Sequence, residues 1–536
     1  YTINHTIDYI LEGIYKAKPD VLCFSCYIWN LDYVEQLMDE YHKICPEVPI
    51  WVGGPEVSYE TEAFLKEHPQ VTGVMTGEGE ETFLELCESY AKAGIGEMAE
   101  KMNLSGIKGI MYRAGESLVK TGAREPLDLN RIPFCYGGVE DFRNRIIYYE
   151  SSRGCPFRCS YCLSSVEKTL RFRDVERVKK ELAFFLEQEV AQVKFVDRTF
   201  NCRHEHAMEI WKFLIEHDNG VTNFHFEISA DLLTDEEIAL IGQMRPGLIQ
   251  LEIGVQSTND ATITEIHRTM QLDRLKAVVR SIQEKENIHE HLDLIAGLPY
   301  EGYETFARSF DEIYALKPNQ LQLGFLKVLK GSYMYEHAAE YGLVYRSRPP
   351  YEVLKTNWLK FGEILRIRQV EEMLEVYYNS GQYATAIRLL ETQYASAFAM
   401  FAELGTFYEE HGYFGMGHSR MRRAEILLEF AKERKPGLLP VLGEGLVYDL
   451  YERENLGSRP SWAADANEWK QIACRYGKKG KQSHIERFFY RFSGHRQDTA
   501  SLPERLEEPV YVRFDYTGRD PLDHQARHEY LEPSGE

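Results

Sequence analysis

The chain has 536 residues, with 62 Lys and Arg against 84 Asp and Glu, a formal net charge of −22. At 44% hydrophobic residues it can bury several cores, which excludes wholesale disorder and predicts three or four units of roughly 100–200 residues. The acidic balance excludes a surface coated for nucleic-acid binding and leaves room only for a local basic patch.

Residues 1–100 read as an open, doubly wound, Rossmann-like α/β sheet, because short apolar runs alternate with amphipathic stretches. Strands are predicted over 21–28, 49–52 and 73–76. A helix is predicted over 31–44, where Val34, Leu37, Met38 and Tyr41 recur at three- and four-residue spacing. The second and third strands run into Gly53-Gly54-Pro55 and Gly77-Glu78-Gly79-Glu80. Ligands of such sheets bind there, beyond the C-terminal ends of the strands. Cys23 and Cys26 have a metal-pair spacing, but inside an apolar strand they read as small core residues. The sequence opens on Tyr1 rather than Met, so this domain is expected to be incomplete at its N-terminus. Residues 101–144 read as a connector with one strand near 106–112, broken by Pro126 and Pro133.

From 145 to 345 the α/β rhythm restarts. Six strands are predicted over 146–150, 193–196, 223–229, 248–255, 289–295 and 320–325, with helices between them. That pattern gives a partial (β/α)6 barrel with its chemistry at the C-terminal strand ends. Residues 346–515 read as a mainly helical domain, with long helices over 353–378, 383–404 and 421–434. Near its end, a basic run over 475–481 is followed by Phe488, Phe489, Tyr490 and Phe492. Basic plus aromatic is compatible with an RNA or nucleotide-like partner, but a solvated loop beside a core strand is the favoured reading. Residues 516–536 read as a polar, frayed tail. No apolar run approaches the ~18–20 residues of a bilayer span, so no membrane partner is expected. Ten cysteines are too few for a disulfide scaffold, which points to a reducing cytoplasm.

Three of those cysteines fall within eight residues. Directly after the first barrel strand comes Arg153-Gly154-Cys155-Pro156-Phe157-Arg158-Cys159-Ser160-Tyr161-Cys162. Three neighbouring thiolates can hold three irons of a cubane and leave the fourth open, whereas ordinary electron-transfer clusters use four cysteines. Structural zinc wants four closed ligands. The next cysteine, Cys202, is 40 residues away, and no histidine accompanies the triplet. Glu227 and Ser229 share one face of the third strand, and Glu252, Gly254 and Gln256 one face of the fourth. Carboxylates on a buried strand need partners, either barrel Lys and Arg or a ligand.

The triplet, its place after the first strand and Tyr161 before the third cysteine resemble the radical S-adenosylmethionine (SAM) superfamily over roughly 145–345. The resemblance implies a [4Fe–4S] cluster on Cys155, Cys159 and Cys162, with SAM on the open iron. It also implies reductive cleavage of SAM to a 5′-deoxyadenosyl radical, fed by an electron donor such as flavodoxin or ferredoxin. By the same resemblance Tyr161, Glu227, Ser229, Glu252 and Gln256 contact SAM, and the 196–201 and 293–299 turns lie near its amino group and adenine. Lys327 and Lys330 read equally as solvated or as substrate contacts. Gly53, Gly54, Gly77 and Glu78 resemble the cobalamin-binding domain that precedes the barrel in one branch, where paired glycines let a flat corrin approach. The Asp-x-His-x-x-Gly loop is missing, and Asp39 and His42 are spaced differently. Cobalt is therefore not expected to be held by a histidine of this region. Residues 346–515 resemble a domain of unknown function found in the same branch. The function so implied is cobalamin-dependent radical SAM catalysis, methylating or rearranging an unidentified substrate. One alternative is a methylthiotransferase-like enzyme acting on tRNA or protein, with a second cluster drawn from Cys23, Cys26, Cys45 and Cys87. Another is a non-catalytic, metal-stabilised binding module.

Overall fold

The computed structural model describes residues 1–93, 104–138, 145–166, 169–465, 482–493 and 501–531. At the N-terminus, β1 (Leu22–Ser25), β2 (Ile50–Gly53) and β3 (Gly73–Met75) pair in parallel. The helix Leu31–Ile44 buries Val34, Leu37, Met38 and Tyr41 against them, as its periodicity predicts. A further helix, Ile7–Ala17, starts where the Thr6 hydroxyl accepts from the Tyr9 N–H. The connector reading of 101–144 is corrected here. β4 (Ile110–Ala114) and β5 (Ser117–Lys120) form a hairpin that extends the same sheet antiparallel to β3. Gly115, at φ +59°, makes the turn. Ile110 and Met111 are buried against the sheet, a cover that the flanking prolines do not announce.

The second sheet begins with β6 (Ile147–Tyr149). A short antiparallel ribbon follows, β7 (Ser152–Arg153) with β8 (Arg171–Phe172), which brackets the cysteine loop. Then come β9 (Gln192–Phe195), β10 (Asn223–Ile228), β11 (Ile249–Gln256), β12 (His289–Ala296) and β13 (Gln320–Phe325). The six strands β6, β9, β10, β11, β12 and β13 are parallel, in the order β13-β12-β11-β10-β9-β6. Crossover helices such as Val175–Glu187, His204–Glu216, Leu272–Gln283 and Tyr303–Tyr314 join them. Burial alternates with a period of two along β11 and β12. One face packs Leu251, Ile253, Leu292 and Leu294 into the core, and the other lines the lumen. This is the partial barrel read from the sequence.

The C-terminal part is mostly helical, with corrections in detail. The stretch 353–378 is not one helix. It opens with β15 (Val353–Lys355), paired to β14 (Val344–Tyr345), before the helix Phe361–Leu374 and a π-helical turn, Glu375–Asn379. The stretch 383–404 splits into Ala384–Glu391 and Ala397–Glu410, because the Ser396 hydroxyl caps a new helix at Ala399. The helix Arg420–Arg434 is found as expected, and Leu439–Arg453 is an addition. The frayed-tail reading of 516–536 is corrected too. β16 (Ser483–Phe488), β17 (Val510–Arg519) and β18 (Ala526–Leu531) form an antiparallel sheet. Its inner side chains, Phe488, Val512, Phe514 and Ala526, are buried. The basic run over 475–481 lies outside the described residues. Of its aromatic neighbours, Phe488, Tyr490 and Phe492 are core, which removes most of the stacking surface a nucleic acid would need. Among the described residues no helix is long and apolar enough to cross a membrane.

Candidate functional site

The cysteine loop leaves β6 at the C-terminal mouth of the barrel and is pinned on several sides. Asp197, fully buried after β9, accepts the Ser151 N–H at 2.9 Å and the Ser151 and Ser152 hydroxyls at 2.6 Å each. His206 Nε2 lies 3.0 Å from the Ser151 hydroxyl. Gly154 takes φ +97°, and a Cβ there would meet the Thr169 carbonyl at 2.5 Å, so only glycine fits. Further along, the Ser160 N–H donates to the Ile266 carbonyl at 2.9 Å, and the Met334 N–H to the Ser160 carbonyl at 3.0 Å.

Cys155 and Cys162 are half-buried and Cys159 is buried; all three are free thiols. Cys155 Sγ sits 3.5 Å from Thr199 Oγ1. Burial pushes the Cys159 thiol up, while the neighbouring Arg268 guanidinium pulls it back down. Tyr161 is packed against the barrel core, and burial pushes its hydroxyl well above the ordinary value. Its Oη accepts from Arg268 at 3.4 Å. Among the described residues no three His, Cys, Asp or Glu side chains converge on a single ion. A cubane instead needs one sulfur per iron. Three thiols on one loop, held from both flanks and near a cation, are a donor set that could hold such a cluster.

Deeper in the lumen the register sets Glu227 of β10 beside Glu252 of β11, and His225 beside Gln250. Glu252 is already partnered: Lys194 Nζ lies at 3.0 Å and His225 Nε2 at 2.8 Å. Burial opposes its ionisation, but His225 and Lys194 outweigh burial and hold it down at about 2. Among the described residues Glu227 has no such pair. Burial, then the charge of Glu252, pushes it up to about 7. Two adjacent carboxyls are thus pushed in opposite directions, the arrangement that separates acid and base roles. His291 and Asp293 of β12 face each other at 3.0 Å.

At the strand ends, the Ser229 hydroxyl donates to Asp231 at 2.7 Å, and Asn201 clamps the Ser229 backbone. Gln256 sits at a bulge with φ +76°, and its buried Oε1 has no partner among the described residues. An orphaned buried acceptor at a strand end fits a ligand that brings hydroxyl and ammonium donors, as SAM does.

On the N-terminal sheet, Gly53 ends β2 and Gly54 takes φ +110° with a Cβ position 2.5 Å from the Cys26 carbonyl. Gly54 is therefore explained by packing against the loop after β1. Gly77 (φ +76°) and Gly79 have open space where a Cβ would stand. In the loop after β1, on the Gly54 side, Tyr27 and the largely exposed Trp29 stack at 4.5 Å. An open glycine turn and an exposed ring stack, both at the C-terminal ends of the strands of one sheet, fit a macrocycle such as a corrin. Glu78 turns elsewhere. It accepts from Arg171 at 3.0 Å and from the Leu127 N–H at 2.7 Å, and it lies 3.1 Å from Arg153. Burial opposes the charge, but these partners hold Glu78 at about 2. Since Arg153 and Arg171 form the ribbon around the cysteine loop, Glu78 clasps the first domain onto that loop. A second clasp joins Tyr351 Oη to Glu56 at 2.8 Å and Lys330 to Glu60 at 3.3 Å. Lys330 is thus ion-paired.

Sequence reasoning missed Arg268, Lys194 and His225. None stands in a spaced motif, and each acts on a partner from another strand or loop.

Three stretches match known families. Residues 1–87 match the B12 binding domain, 149–313 the radical SAM superfamily, and 339–500 a protein family of unknown function, DUF4080. A stretch that matches the radical SAM superfamily thus follows one that matches a B12 binding domain, in that order along the chain. The chain is 28% identical over 317 residues to the cobalamin-dependent radical SAM methyltransferase TokK of Streptomyces tokunonensis, covering 55% of this chain and 44% of that protein. It is 24% identical over 272 residues to the hopanoid C-3 methylase of Methylococcus capsulatus, covering 48% and 49%. The chain spans about half the length of the curated relatives it matches. Among solved structures, the radical SAM methyltransferase TsrM of Kitasatospora setae, with cobalamin and a [4Fe–4S] cluster bound, superimposes with a TM-score of 0.53. That match is 15% identical and covers 64% of this chain and 71% of TsrM, a likeness of fold.

Proposed function

We propose that this radical SAM protein uses a [4Fe–4S] cluster on Cys155, Cys159 and Cys162, together with cobalamin on its first domain, to methylate or rearrange a carbon centre of its substrate. The observation that carries the reading is the Glu78 clasp, which ties the open glycine turn of the first domain to the ribbon of the cysteine loop. When bound, the cluster would supply the electron that cleaves SAM, and cobalamin a methyl carrier. The chain's own part is to hold and orient. Asp197, Gly154 and the Ile266 and Met334 backbone fix the loop. Gln256 offers an acceptor to SAM, and Glu227, titrating near 7, receives or returns a proton in the lumen. Names of relatives that act by methyl transfer support this reading.

The methylthiotransferase alternative needs a second cluster. Burial pushes the Cys23 and Cys26 thiols up to about 12, which makes both poor ligands and argues against it. Anaerobic reconstitution decides between the two: about four irons and one cobalamin per chain are expected, against about eight irons for the alternative. Cys159→Ala is expected to lose iron and to abolish 5′-deoxyadenosine formation. SAM cleavage that survives in that variant rejects the assignment.

A further inference from the structure

Arg268 reaches the cysteine loop from the turn that follows the helix Asp260–Glu265. Its Nη1 donates to Cys159 Sγ at 3.8 Å and to Tyr161 Oη at 3.4 Å, and its Nη2 donates to the Gly254 carbonyl at the end of β11. Its Nε is buried and has no partner among the described residues. The same turn supplies the Ile266 carbonyl that holds Ser160, so the guanidinium is fixed relative to the loop. Arginine stays charged at any working pH. Among the described residues no carboxylate forms an ion pair with it; its partners are a sulfur, a phenol and a carbonyl. An unneutralised cation in a poorly hydrated place is felt strongly by any charge beside it.

We infer that Arg268 sets the reduction potential of the cluster, by placing a fixed positive charge and an N–H···S hydrogen bond on Cys159. The inference rests on the reading that the three cysteines hold a [4Fe–4S] group. Reduction adds one electron from an external donor to the oxidised cluster. Hydrogen bonds to the sulfurs and the net charge around a cluster are what the protein uses to tune that step. Arg268 favours the reduced form, which makes the electron easier to deliver before any SAM is cleaved. Gly254 and Tyr161 orient the fork and are not themselves the source of the charge. The competing role, recognition of the SAM carboxylate, would act only once SAM is present.

The full chain is reconstituted anaerobically as wild type, Arg268→Gln and Arg268→Lys. Iron per chain is counted, and the cluster is titrated by EPR without SAM and then with it. About four irons are expected in each protein. Arg268→Gln is expected to shift the SAM-free reduction equilibrium at least tenfold toward the oxidised form, about 59 mV for one electron. Arg268→Lys, which keeps the charge but not the fork, is expected to shift it roughly threefold, and it decides the matter if the Gln variant fails to load iron. A SAM-free potential unchanged in the iron-loaded variants overturns the inference, as does a change seen only with SAM. Failure of the wild type to take up iron would instead remove the cluster reading beneath it.

Discussion

Replacing Asp197 by Ala measures how firmly the cysteine loop is held. In the wild type the carboxyl is buried among three donors, and burial pushes it from 3.8 up to about 6 against the pull of Ser151 and Ser152. A carboxyl whose folded value lies above its unfolded one favours folding fully at pH below 3.8. That contribution is lost as pH rises through 6. Between pH 5 and pH 8 the loss comes to about 1.4 kcal/mol, from 1.36 kcal/mol per unit. Removing the carboxyl strands the Ser151 N–H and the Ser152 hydroxyl at about 1–3 kcal/mol each. The Ser151 hydroxyl keeps His206. Asp197→Ala is therefore expected to be about 2–6 kcal/mol less stable locally at pH 5, with the deficit about 1.4 kcal/mol smaller at pH 8. His206, held down at about 4 by burial, is present in both chains and cancels in the difference. Hydrogen exchange over residues 149–155 of the iron-free chain reads this local opening directly. A deficit that stays flat from pH 5 to pH 8 refutes the perturbed carboxyl, and no deficit at either pH refutes the pinning role.

Gly54→Ala is expected to cost about 2 kcal/mol or more in thermal unfolding, since its Cβ would strike the Cys26 carbonyl at a strained φ. Gly77→Ala faces open space and is expected to cost about 1 kcal/mol. If the corrin lies on that turn, Gly77→Ala should nonetheless weaken cobalamin binding in an absorbance titration. Glu78→Ala is expected to loosen the clasp by about 2–3 kcal/mol, discounted for partial exposure, with faster proteolysis near Leu127. Because Glu78 is held at about 2, the wild-type clasp should persist above pH 4.5 and fail as pH falls toward 2.

The sequence by itself determined what local spacing can encode. Cys155, Cys159 and Cys162 share one loop because three and two residues separate them. The periods of 3.6 and 2 marked the helix Leu31–Ile44 and the barrel strands to within a few residues. Patterns failed where burial came from a distant segment. The second hairpin arm, Ser117–Lys120, and the strand Ala526–Leu531 look polar or broken alone and are strands only because a neighbouring strand accepts them. Partner choice was likewise invisible. Glu252 meets Lys194 across 58 residues, Glu78 meets Arg171 across 93, and Cys159 meets Arg268 across 109. A short-range pattern sets which side chains share a face. Only the partial barrel, with the first domain clasped to its mouth, decides which charges stand within reach of one another, because that depends on chain segments the local sequence cannot see.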